Sequence, residues 1–302
     1  MKFIDAHKGR FGVAPICRVL TEHGIKIAPS TYYDAKGRPA SKRALRDEDL
    51  KVEIARVHGE NYGVYGPRKV WLQLNREGIE VARCTVERLM KDLSLQGIRR
   101  GKRWKTTTAD PAADRSADLV RRRFNPTRPN ALWVADFTYV ATWVGVVYVA
   151  FVIDAYARRI LGWRAATSMR TELVLDALDQ AVWVRRRDGA DLAELAGLVH
   201  HTDAGSQYTS IAFTERLAAI GVSASIGTVG DAFDNALAES VIGLYKAELI
   251  NPNKPWKTIE EVEIATLHYT DWFNNTRLYE ENGDIPPVEL EHAYYRQHRH
   301  SA

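Results

Sequence analysis

The chain is 302 residues long, 45% apolar and 26% charged, the balance of a folded globular protein rather than a disordered one. Its net charge of +4 conceals a split: residues 1–130 hold 28 Lys and Arg against 15 Asp and Glu, and residues 131–302 hold 14 against 23. No apolar run approaches the ~20 residues that span a bilayer, which argues against a membrane partner. Met1 to Leu20 lacks the apolar stretch of a signal peptide. The two cysteines, Cys17 and Cys84, make neither a disulfide framework nor a four-ligand zinc site, so a reducing cytoplasm is expected.

Residues 11–36 read as helix, glycine turn, helix. The first apolar pattern closes near His23-Gly24, and the second begins with Pro29 at a first-turn position. Residues 1–40 are thus expected to form an N-terminal helix-turn-helix-like segment. Residues 41–100 repeat the theme as a DNA-binding domain. A helix over Asp49–His58 leads through NYGVYGPRK to two more, Arg68–Arg76 and Arg83–Leu93, joined by EGIEV. The spacing of Val70, Leu74, Ile79, Val86, Leu89 and Met90 is that of a helix-turn-helix, whose second helix usually lies in the major groove. Arg83, Thr85 and Arg88 stay polar on that helix, and with Arg68 and Lys69 they are candidate DNA contacts. Plain helical packing is the competing reading. Residues 101–130 have little periodicity, three prolines and two basic clusters, the composition of a basic linker. A basic front half of this kind suits a polyanion, because each phosphate met by Lys or Arg releases condensed counterions.

From Ala131 the texture changes. LWVADFTYV, VGVVYVAFVID and RRILGWRAA read as adjacent antiparallel strands. TELVLDALDQAVWVRRR is helical, AGLVHHTD a short strand, SIAFTERLAAIG a helix, VSASIG another short strand and NALAESVIGLYKAEL a helix. This order predicts an α/β core over 131–250, a mixed sheet flanked by helices, followed by a helical extension over 251–302.

Three acids fall at element ends in that core: Asp136 in the first strand, Asp203 where the fourth gives out, and Glu239 on the last helix. Chain order suits the first and fourth strands lying side by side, so that the three carboxylates converge. Three anions brought together are costly unless a cation sits between them. With oxygen ligands alone the expected ion is Mg²⁺, with Mn²⁺ as a substitute, completing its shell with water and substrate phosphate. Gln207 and Tyr208 offer polar and stacking groups at the mouth of such a site, and Asn235 is a good N-cap for the Glu239 helix. Glu239, Gly243 and Lys246 share one helical face, where Lys246 would meet a phosphate. His200 and His201, adjacent on a strand, point to opposite faces and do not readily chelate one ion; one is expected to be buried and the other to flank the site.

WVADFTYV, HHTDAGSQYTS and DNALAESVIGLYKAEL together resemble the three blocks of a DDE transposase of the retroviral-integrase type, the downstream-frame product of a bacterial insertion sequence. The resemblance extends upstream over YGVYGPRKV and GIEVARCTVERLM, and downstream over WFNNTRLYEENGDIPPVELE. It implies an RNase H-like core and Mg²⁺-dependent strand cleavage and transfer at terminal inverted repeats, with no covalent protein–DNA intermediate. Asp136 and Asp203 would be central metal ligands and Glu239 would complete the second site. It also implies double-stranded DNA as partner, a homo-oligomer on DNA, and an upstream-frame protein or fusion. Two departures stand out: relatives commonly carry Arg at the Ala204 position, and more often a small residue and Tyr at the Asp231 and Phe233 positions. A DNA-binding regulator without catalysis, and a nuclease of the same fold, are the rival readings.

Overall fold

The computed structural model describes residues 1–99, 120, 125–189, 195, 197–203, 207–208, 210–226 and 236–298. Most of the expected basic linker lies outside the described residues, as do Ala204, Gly205, Asp231, Phe233 and Asn235. The chain divides into two compact units, Met1–Ile54 and Ala55–Ala302.

In the first unit α1 (Lys2–Phe11), α2 (Val13–Glu22) and α3 (Pro29–Gly37) close around Ile4, Val13, Ile16, Cys17 and Tyr32. Pro29 opens α3 as expected, at a position where its missing N–H would have no intrahelical partner. The sequence did not announce α1. Only Ile4 of its ten residues is buried, too thin an apolar stripe to register as a helical period. Gly12 parts α1 from α2 at φ +77°, a conformation that glycine adopts without steric cost. Helix α4 (Lys42–Glu60) starts seven residues before the expected Asp49, because its first turns are Lys- and Arg-rich, good helix formers without an apolar pattern.

The second unit opens with α5 (Pro67–Arg76) and α6 (Arg83–Asp92). Val70, Leu74, Val86, Leu89 and Met90 are buried between them, the apolar set whose spacing suggested the motif. Then come β1 (Leu132–Thr142), β2 (Gly145–Asp154), β3 (Ile160–Ala166), α7 (Thr171–Arg187), β4 (Val199–Thr202), α8 (Ile211–Ala219), β5 (Ser223–Ile226) and α9 (Ala236–Tyr245). The five strands form one mixed sheet in the order β3-β2-β1-β4-β5. The first three run antiparallel as a meander, and β4 and β5 lie parallel to β1. Each parallel step needs a crossover, which α7 and α8 supply.

On one face Trp133, Ala135, Ala150 and Val152 pack with Leu173, Ala177, Leu178 and Ala181 of α7 and Phe213 and Leu217 of α8. Helix α7 sits so close to β3 that a Cβ on Gly162 would stand 2.0 Å from the Ala177 carbonyl oxygen. Helix α9 covers the opposite face, where Tyr245 meets Phe151 edge-on at 5.0 Å.

Helix α9 does not continue through Leu249 as a regular α-helix. Lys246–Ile250 form a π-helical turn that buries Glu248, Leu249 and Ile250. Within it Glu248 accepts hydrogen bonds from Arg277 (2.6 and 3.0 Å) and from the Tyr269 hydroxyl (2.9 Å). Two last helices, α10 (Ile259–Asn275) and α11 (Pro287–His298), return to the core. The Arg185 fork on α7 donates to both oxygens of Glu291 on α11 and to Asp154 at the end of β2, each at 2.7 Å. Residues 251–298 are thereby bound into the same unit as the sheet.

Candidate active site

Asp136 and Asp203 are brought together by strand register. Ala135 pairs with Thr202 across the parallel β1–β4 ladder, so Asp136 and Asp203 are the next residues outward, at the point where β4 ends. Trp133 and Ala135 point into the α7–α8 core, and alternation therefore aims Asp136 at the face that α9 covers. Glu239 lies in the first turn of α9, where the exposed N–H groups of a helix end favour a carboxylate. All three acids are half-buried.

The charges of Asp203 and Glu239 both bear on Asp136. Burial pushes the Asp136 carboxyl well above the usual range, and the Asp203 and Glu239 carboxylates push it the same way. A hydrogen bond from the Phe137 N–H and the Lys246 charge offset this in part. Among the described residues no group of three His, Cys, Asp or Glu side chains stands close enough together to hold a metal ion; residues 204–206 and 227–235 lie outside that description. The donor set nonetheless fits a hard divalent cation. It is all oxygen, and it carries a mutual repulsion that a dication would relieve.

Both histidines are buried, on opposite faces of β4. His200 lies against Phe213, and neither of its ring nitrogens has a hydrogen-bond partner. Burial, with His201 beside it, lowers its pKa to about 3, so it stays neutral. His201 shares a 2.9 Å hydrogen bond with Ser225, two residues before Asp203.

Comparison with known families matches an integrase core domain to residues 126–232, an HTH-like domain to residues 44–103 and a second integrase core domain to residues 220–287. A putative transposase of insertion element IS986/IS6110 from Mycobacterium tuberculosis H37Rv is 63% identical over 92% of this chain and 99% of its own. The chain belongs to the insertion-sequence transposases with an integrase core. The IS629 transposase of Shigella sonnei is 52% identical over 98% of this chain and 96% of its own. The IS904 transposase of Lactococcus lactis is 32% identical over 80% of this chain and 92% of its own.

The other candidate residues of this transposase fall into distinct groups. Lys246 opens the π turn, with its ammonium 4.4 Å from the centre of the Tyr139 ring. Burial lowers its pKa, Asp136 opposing that fall and Lys254 adding to it. Gly243, on the same helix, has nothing packed within 4 Å of where a Cβ would stand, so no neighbouring element imposes glycine there.

Arg83 and Arg88 lie on the outer side of α6, Arg83 paired with Glu87 at 2.9 Å and Arg88 with Asp92 at 3.8 Å; Thr85 is half-buried. Exposed pairs of this kind contribute little to stability and open readily for another anion. Arg83 and Glu87 border a cleft of about 500 Å³ with Ser240 and Leu244 of α9. The candidate reading helix and the helix of Glu239 thus face one space.

Arg68 and Lys69 are half-buried at the border of the same cleft, where groups of the chain itself engage them. The Arg68 guanidinium grips both oxygens of Asp284. Lys69 donates to the Leu278 carbonyl at 2.7 Å, and burial, with Arg277 nearby, lowers its pKa to about 8. They dock α5 on the segment after α10, a role that only the chain's return could disclose. Because the Lys69 pKa is depressed on folding, its contribution to stability is present above pH ~10.4 and is lost as pH falls through about 8. Urea unfolding between these values should show that slope in the wild type and a flatter one in Lys69→Met.

Tyr208 is a correction. It was expected to stack at the mouth, but only 3% of it is exposed. Its ring packs against Phe137 and Phe213, within the α7–α8 core. Gln207 is half-buried and donates to the Met169 carbonyl at 3.1 Å. Asn235 lies outside the described residues.

Proposed function

We propose that this transposase cleaves DNA strands and transfers them at the terminal inverted repeats of its mobile element, using Asp136, Asp203 and Glu239 to hold divalent metal. The observation that carries this reading is the β1–β4 register, which sets Asp136 and Asp203 side by side where β4 ends, with Glu239 in the first turn of the helix that covers that face. Mg²⁺, with Mn²⁺ as a substitute, would polarise the scissile phosphate and lower the pKa of bound water. The chain's own residues confine that chemistry. Asp136 and Asp203 are fixed by the β1–β4 ladder, Glu239 by the first turn of α9, and Lys246 sets a positive charge beside them for a phosphate oxygen. Water attacks in cleavage and a DNA 3′-hydroxyl in transfer, in line with the departing oxygen.

The outer face of α6, with Arg83, Thr85 and Arg88, is the proposed reader of double-stranded DNA. The family relationship supports assembly of several copies on DNA; joint action with an upstream-frame protein or fusion is part of the same proposal. No described helix is long and apolar enough to cross a membrane, and the proposed place of action is the bacterial cytoplasm at the nucleoid.

The test is Mg²⁺-dependent cleavage and strand transfer on DNA carrying the element's ends, comparing wild type with Asp203→Asn. Activity lost only in the variant, with end binding retained, supports the assignment. A variant with near-wild-type rates overturns it. If both are silent even when fused to the upstream-frame protein, the chain is a DNA-binding regulator.

A further inference from the structure

A run of aromatic rings and lysines begins beside Asp136 and ends at the β1–β2 turn. Tyr139 is 47% exposed, Trp143 69% and Val144 71%, on a strand whose neighbour β4 pairs only with Leu132–Ala135. The Lys246 ammonium lies over the Tyr139 ring at 4.4 Å, and the Lys257 ammonium over the Trp143 ring at 5.6 Å. Lys254 lies near enough to Lys246 for the two charges to act on each other, and it stands three residues before Lys257 in the chain.

The turn is not left to itself. The Trp143 N–H donates to the Trp256 carbonyl at 3.0 Å, and Thr142 bridges Trp256. The buried Trp256 indole in turn donates to the Ile250 carbonyl of the π turn. Rings and ammonium groups are therefore presented on a braced surface, with Lys257 further positioned by its own N–H donating to Glu261 at 2.8 Å. From Asp136 to Trp143 the strand rises about 23 Å, at ~3.3 Å per residue.

Exposed aromatic faces alternating with cations match an unpaired nucleic-acid strand, whose bases stack on rings while its phosphates meet ammonium groups. A duplex buries its base faces and would leave Trp143 without a partner. We propose that Tyr139, Trp143, Lys246, Lys254 and Lys257 form a track for single-stranded DNA, receiving the unpaired strand that flanks the cleavage point. This rests on the transposase reading above and names a part of the substrate that the three acids do not specify. Three lysines and no acid among these five residues make a second copy of the chain a poorer fit than DNA.

The experiment uses the full chain and a fluorescein-labelled oligothymidylate of about twelve nucleotides, within the span a strand-binding surface covers. Anisotropy is read in EDTA, so the result stands or falls separately from metal-dependent cleavage. Trp143→Ala should weaken binding about tenfold, the effect of losing one stacked base. Trp143→Phe should stay near wild type, and Lys257→Gln should show a shallower salt dependence. Binding of an element-end duplex should be unchanged in Trp143→Ala, as should its thermal midpoint, since the ring is exposed. Oligothymidylate affinity at the wild-type level in Trp143→Ala overturns the proposal. So does an equal loss for the duplex, or a variant that changes only its sedimentation, which would make the hairpin tip a contact between copies.

Discussion

Asp136→Asn should abolish strand cleavage and transfer while making the metal-free protein more stable. Metal-assisted stabilisation of charge at phosphorus contributes several kcal/mol, so the rate should fall by about three orders of magnitude or more. The stability effect follows from the same carboxylate. Burial, Asp203 and Glu239 raise the folded-state pKa of Asp136 above its unfolded value, so its contribution is present at low pH and is lost as pH rises through the folded value. At neutral pH without metal the ionised group therefore weakens the fold, and a neutral amide of the same shape removes that penalty. Urea unfolding in EDTA should show a higher midpoint for Asp136→Asn than for wild type, with the gap narrowing on acidification. Adding Mg²⁺ should stabilise the wild type by mass action and leave the variant unmoved. A variant less stable than wild type at neutral pH, or one that Mg²⁺ stabilises equally, would contradict the site as described.

The largest structural loss is expected at Arg185. The residue is 1% exposed, and its guanidinium joins α7 to Asp154 on β2 and Glu291 on α11. Burial opposes ionisation of Glu291, yet the Arg185 and Arg159 charges hold its carboxyl below the ordinary range. Burial raises Asp154 despite Arg185, although it also accepts from the Asn130 and Tyr156 N–H groups at 2.8 Å. Arg185→Met would leave both carboxylates buried without their shared partner, and breaking a buried pair from one side costs about 3–5 kcal/mol. Because the same triad anchors α11, protease sensitivity over 287–298 should rise as the urea midpoint falls. Adding Asp154→Asn to Arg185→Met should recover part of the loss, since Glu291 keeps its 2.7 Å pair with Arg159 while Asp154 loses the cation it pairs with. If the double variant were no more stable than the single one, the buried Asp154 charge would not be the source of the cost.

Much of the site was legible in the sequence because its signals are local. The β1 acid sits in an alternating strand, the β4 acid follows an apolar run at a turn, and the third acid heads an amphipathic helix. Periodicity of 2 and 3.6 places such residues on elements without reference to the rest of the chain. The same local logic located α5 and α6 and put Arg83 and Arg88 on the outer side of α6. It failed where the partner is distant in sequence. Arg68 and Lys69 look like free basic residues beside a helix-turn-helix, but Asp284 and the Leu278 carbonyl, more than 200 positions away, bind them. Tyr208 looks like a mouth residue until Phe137 and Phe213 close over it.

Residue identity and spacing alone determined the class of core, the three acids, the basic front half and the kinship that these blocks carry. They could do so because strand alternation, helical periodicity and the residues at element ends are written locally along the chain. Only the tertiary structure decided which cations remain available to a substrate, that the last helix is bound by a buried triad, and that α9 ends in a π turn presenting Lys246 over Tyr139. Those outcomes depend on long-range pairing and on desolvation, and a charge that reads as solvated in a sequence takes its role from whatever the fold returns to its side.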